Sequence, residues 1–152
     1  MKKLLSLLLA LLTLASLAAC GGGAKTVDID ALAAELTASG AFSDILNPPA
    51  EGVAARLYDL PEGTAKKTVL YVSTGATAEE IFLAEAADSA AAGALKTACQ
   101  NRIEAQKQAF VNYAPEEVQK LDNAVLVTAG NYVILVVASD AAAAKAVVDK
   151  YA

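Results

Sequence analysis

The stretch Ala124-Val125-Leu126-Val127-Thr128-Ala129-Gly130-Asn131-Tyr132-Val133-Ile134-Leu135-Val136-Val137-Ala138-Ser139 decides the fold. Two runs rich in β-branched residues, 124–128 and 132–139, flank Ala129-Gly130-Asn131, whose residue types suit a hairpin turn. The second run is apolar from Val133 to Val137 with no polar alternation. Such a strand is expected to be central and covered on both faces or nearly so.

Working outward, the next elements read as helices. Asp140 is placed to cap a closing helix with Ala144, Val147, Val148 and Tyr151 as its inward stripe. Upstream, residues 89–113 carry Leu95, Cys99, Ile103, Gln106, Phe110 and Tyr113 three or four apart, with Lys96, Asn101, Glu104 and Lys107 on the other face. Ala114 precedes Pro115, so that helix stops there, and Pro115-Glu116-Glu117 opens another that ends near Asp122 and Asn123.

Residues 68–74 and 80–86 read as two further strands joined around Gly75. Thr77-Ala78-Glu79-Glu80 has alternatively the composition of a helix cap. An antiparallel hairpin is preferred, because a parallel crossover needs a far longer connection. Ahead of it, Ile29, Leu32, Ala33 and Leu36 repeat at helical spacing between Asp28 and Gly40, and Val53, Leu57 and Tyr58 suggest a short helix before Pro61-Glu62-Gly63. The expectation is an α+β domain with an antiparallel sheet of about four strands packed by helices. Its order is helix-helix-strand-strand-helix-helix-strand-strand-helix, and strand order within the sheet is left open. Abundant alanine implies close helix packing rather than a bulky aromatic core.

The amino terminus has a different character. Met1-Lys2-Lys3, an apolar run over residues 4–14, and Leu17-Ala18-Ala19-Cys20 reproduce the positive, apolar and small-residue zones of an export signal. The apolar run is short of the about 20 residues a membrane-spanning helix needs. Leu17-Ala18-Ala19-Cys20 resembles the bacterial lipobox, which implies cleavage before Cys20 and a diacylglycerol on its thiol. Two acyl chains, such as palmitate, suffice for stable anchoring where one does not. Residues 1–19 are thus expected to be a cleaved lipoprotein signal peptide and 20–27 a lipidated, glycine-rich tether. Residues 28–152 form a single domain, the expected site being the cell membrane at its extracytoplasmic face.

Composition excludes several functions. Loss of Lys2 and Lys3 takes the net charge from −5 to −7, an acidic domain without a basic cluster, which argues against nucleic acid. The sequence contains no histidine, which removes Ser-His-Asp and Cys-His hydrolysis and makes a zinc site unexpected. No cofactor is called for. With Cys20 acylated, Cys99 is unpaired, and its spacing with Leu95 and Ile103 makes it a small buried hydrophobe. Carboxylate chemistry and calcium binding stay open in principle. Glu79-Glu80 and Glu116-Glu117 are adjacent acids whose side chains diverge on any regular element. Glu80 reads as a solvated strand start, and Gln106, on the apolar stripe, either bonds backbone or lines a cavity.

Residues Tyr71-Val72-Ser73, Glu80-Ile81, Phe110-Val111-Asn112-Tyr113-Ala114-Pro115 and Gly130-Asn131-Tyr132-Val133 resemble a family of uncharacterised bacterial lipoproteins, defined by a domain of unknown function and common in Gram-positive bacteria. The resemblance spans about residues 28–150. It implies a single lipoprotein domain and transfers no catalytic or metal site. The loop residues Tyr113, Asn131 and Tyr132 are the candidate binding residues, since polar and aromatic loop positions are where sites occur. The leading reading is a non-enzymatic binding or accessory module of the cell envelope, held to the membrane through Cys20, with an envelope protein or a small molecule as ligand. The alternatives are a carboxylate-based, glycan-acting enzyme and a structural subunit of an envelope complex.

Overall fold

The computed structural model describes residues 26–152, so the signal, the lipobox and Cys20 lie outside the described residues. The elements are α1 (Ile29–Ala38), α2 (Val53–Leu57), β1 (Ala65–Val72), β2 (Glu80–Ala86), α3 (Ser89–Phe110), α4 (Pro115–Asp122), β3 (Val125–Ala129), β4 (Tyr132–Val137) and α5 (Ala141–Tyr151). The expected α+β order is the observed one. Three helices start where aspartate carboxylates take up free backbone N–H groups: Asp28 accepts from Ala31 N at 3.0 Å, Asp88 from Ala91 N at 2.8 Å, and Asp140 from Ala143 N at 2.9 Å. Gly130, at φ +58°, makes the two-residue β3–β4 turn.

The strands form one antiparallel sheet in the order β1-β2-β4-β3. β2 and β4 therefore sit in the middle. Glu80 pairs with Val137 at what we call the upper end, and Glu85 pairs with Tyr132 at the lower end. Both faces of this pair are buried. Ile81, Leu83, Ile134 and Val136 pack beneath α1 and α5 with Leu32, Leu36 and Val148, while Phe82, Val133, Leu135 and Val137 pack against Leu95 and Cys99 of α3 and Leu121 of α4. The unbroken apolar run of β4 thus feeds two cores, as its pattern requires.

Several boundaries differ from the sequence reading. β1 starts at Ala65 and ends at Val72, with Ser73 and Thr74 in the loop. Asn47 exchanges backbone bonds of 2.9 and 3.0 Å with Val72 and so extends the β1 edge at the upper end. α3 stops at Phe110, so Tyr113 falls off the apolar stripe and is 75% exposed. α1 carries the chain from Asp28 near the lower end to Ala41 near the upper one, where Ala41 O accepts from Asp140 N at 2.9 Å.

Candidate functional site

The first residue of β2 is the main correction to the sequence reading, because Glu80 is not solvated but 2% exposed. Alternation along the strand puts its side chain on the same face as Phe82, under α3. A carboxylate there must be compensated. Arg102 supplies two bonds, Nε to Oε1 at 3.3 Å and Nη2 to Oε2 at 2.8 Å, Gln106 Nε2 adds a third at 3.2 Å, and the Tyr58 hydroxyl donates a fourth. The Tyr58 ring stacks on Phe82 with centroids 3.9 Å apart. Burial, with the Glu80 charge and bond, raises the Tyr58 hydroxyl well above its ordinary value and keeps it a donor. Burial alone would lower the Arg102 value, but the bond and charge of Glu80 raise it, so the guanidinium is a fixed cation.

Glu79, the residue before β2, has a separate set of partners. Its carboxylate accepts from Ser43 N and Oγ, Asp44 N at 2.8 Å, the Ser139 hydroxyl and Lys120 Nζ at 3.1 Å. Burial works against the charged form, yet the bonds from Ser139, Ser43 and Asp44 prevail and hold this carboxyl at about 2. Lys120 is desolvated too, but Glu117 and Glu79 raise it above the ordinary lysine value. Glu117 is itself buried and accepts from Ala78 N at 2.8 Å. Ser43 and Ser139 thus face a very weak base and a firmly protonated amine, so neither hydroxyl is activated as a nucleophile. The cluster clamps the 41–47 loop to the upper end of the sheet.

Beside Glu80 the surface is concave. One cleft of about 350 Å³ lies between Leu57–Pro61 and the Ala94, Ala98, Asn101 and Ala105 side of α3. A second, of about 340 Å³, lies between the 73–77 loop and Gln106, Ala109 and Phe110. Leu57 and Arg102 border both, and the two clefts are together called the α3 trough. Asp59, at φ +49°, turns the chain after α2 so that Leu57–Pro61 stand as the facing wall. From Ala94 to Phe110 the helix rises about 24 Å.

Two polar atoms remain available in this trough. The carboxylate of Glu80 can only accept, so it fixes Gln106 with its nitrogen inward and its oxygen outward. Gln106 is 7% exposed, its oxygen bonds no other described residue, and no buried side-chain nitrogen or oxygen among the described residues lacks a partner. That oxygen therefore opens into the second cleft. Gln106 bonds a carboxylate rather than backbone, and it lines a cavity as the second of its two expected readings had it. Glu80 engages Nε and Nη2 of Arg102, which leaves Nη1 on a side chain that is 22% exposed.

The expected binding residues are not brought together. Tyr113 stands at the upper end, its ring 6.4 Å from that of Phe110. Asn131 and Tyr132 lie at the lower end, where Asn131 O accepts from Ala86 N at 2.7 Å and Tyr132 is half-buried against the α1–α5 core. Five strand steps, about 17 Å, separate the two ends. Among the described residues no three Cys, Asp or Glu side chains converge as metal ligands, and no helix is long and apolar enough to cross a membrane.

A family profile matches residues 50–138, more than half of the chain. The chain belongs to the family described as a domain of unknown function, DUF4358. The matched span is shorter than the 28–150 implied by resemblance. Within it lie Tyr58, Glu80, Arg102, Gln106 and both walls of the trough, whereas the Glu79 clamp draws Ser43, Asp44 and Ser139 from outside the DUF4358 match. No curated protein and no solved structure matches the chain.

Proposed function

We propose that this DUF4358 protein is an extracytoplasmic lipoprotein, anchored to the cell membrane through Cys20, whose domain is a non-enzymatic binding module of the envelope using the α3 trough. The observation that carries the binding role is the pair of atoms that Glu80 leaves unengaged, Gln106 Oε1 and Arg102 Nη1, on two side chains that line the second cleft. A purely structural Glu80–Arg102 pair requires no cleft at its side. The acids point the same way: those buried beside the trough are fully occupied by donors, which disfavours the carboxylate-based enzyme. The anchor is supported by Leu17-Ala18-Ala19-Cys20 behind a short apolar run.

A specific observation favours the structural-subunit reading as the second one: of the large exposed apolar side chains among the described residues, Ile45, Val111 and Tyr113 lie on the segments at the upper end. Labelled palmitate and membrane fractionation test the anchor. Wild type is expected to incorporate label and sediment with membranes, and Cys20→Ser to take up none and persist as precursor. Equal labelling of the two refutes anchoring through Cys20.

A further inference from the structure

We infer that the trough takes an extended peptide and reads its main chain, an inference that rests on the binding-module reading and names its ligand. The recognition follows from Arg102 and Gln106. They sit one helical turn apart and line the same cleft, Arg102 with a guanidinium nitrogen and Gln106 with an amide oxygen that Glu80 leaves unengaged. In an extended chain the N–H and C=O of one residue point to the same side. A peptide lying along α3 can therefore give a carbonyl to Arg102 Nη1 and an N–H to Gln106 Oε1.

The rest of the lining suits a main-chain reader. Ala94, Ala98, Ala105 and Ala109 leave room for a backbone to approach the helix, while Leu57 and Phe110 offer apolar contact to flanking side chains. Gln106 makes this more than a stripe of small residues. Its amide is almost wholly buried and its orientation is enforced from behind by Glu80, so the acceptor is built into the site before a ligand arrives. The Glu80–Arg102 pair is neutral as a unit, which favours an uncharged amide over a free anion. Main-chain bonds provide affinity in this mode, and side-chain pockets add selectivity.

The experiment uses the full lipidated chain in detergent micelles. The probe is a pool of fluorescent acetylated heptapeptide amides built from Ala, Leu, Ser and Thr, and N,N′-diacetylchitobiose serves as an amide-bearing glycan. Saturable peptide binding is expected for wild type, weakened at least tenfold by Gln106→Leu, by Ala105→Phe and by N-methylation of one central amide in the best peptide. Ala105 is exposed and outside the Glu80 cluster, so the Ala105→Phe plug keeps the test sound if Gln106→Leu unfolds the domain. Binding of the glycan in place of the peptides overturns this inference and leaves the binding-module reading standing. Peptide binding indifferent to both substitutions overturns the assignment to this trough. Absence of binding by either probe overturns the peptide inference, while the palmitate experiment reports on the anchor independently.

Discussion

Acid should weaken this domain through the Glu79 carboxylate. The folded structure holds the Glu79 carboxyl at about 2 against an ordinary value of 4.5, because five donors from Ser43, Asp44, Ser139 and Lys120 surround its ionised form. The folded value lies below the unfolded one, so in the window between them the unfolded chain binds more protons and stability rises with pH. The contribution is fully present above about 4.5 and is lost as the pH falls toward about 2. At about 1.4 kcal/mol per pH unit the gap corresponds to about 3 kcal/mol, a large share of the 5–15 kcal/mol typical of a domain. Glu79→Gln keeps the shape and removes the charge. Urea unfolding followed by circular dichroism at intervals from pH 7 to pH 2.5, on wild type and variant together, isolates this group, since every other titrating residue is common to both. The variant should be weaker by about 3 kcal/mol at pH 7, a fall of about 10 °C in melting temperature, and the two curves should converge as the pH approaches 2.5. A difference that stays constant across that range would refute the argument, because it would show that Glu79 contributes shape rather than charge.

Arg102→Met should cost about 3–5 kcal/mol by stranding Glu80, and adding Glu80→Gln should recover most of it, since the amide oxygen still accepts from Tyr58; additive losses in a urea double-mutant cycle would contradict the pairing. Ile134→Asp and Leu135→Asp face opposite cores, so both should fail to fold in thermal scans, and a folded variant of either would mean that one sheet face is open. Cys99 is fully buried with its thiol pushed up to about 12 by burial and the nearby Glu80 charge; it should resist bulky thiol reagents in the native protein, and Cys99→Ala should cost about 1 kcal/mol. Rapid labelling at neutral pH would place Cys99 outside the core.

The fold was legible because its information is local. β4 announces burial on both faces through Val133 to Val137 alone, and Asp28, Asp88 and Asp140 each set a helix start through a bond spanning three residues. The strand order was not legible. β2 and β4 become neighbours only after the chain has passed through α3, α4 and β3, and no residue pattern in either strand names its partner. Tyr113 was misplaced on the buried stripe for a related reason: helical spacing continues past Phe110, but the turn that prepares Pro115 ends the helix first.

The site was illegible in a more instructive way. Read along the chain, Glu80 is an acid at the mouth of a strand, and on average such acids are wet. Its partners stand 22 residues before it and 22 and 26 residues after it, so no local window contains the compensation. Two signals were nevertheless present. Glu80 shares its strand parity with Phe82 and Ala84, both fully buried, so solvation of Glu80 required the sheet to be open on that side. Gln106 lay on the apolar stripe of α3 with Leu95 and Cys99 and had to find a polar partner. A buried amide on a helix and an acid in phase with the strand core each violate the local rule for their element, and one resolves the other only if helix and strand pack face to face. Departures from local consistency concentrate where function is built. In this chain they coincide at a single point, Glu80, and it is there that the trough acquires its fixed donor and acceptor.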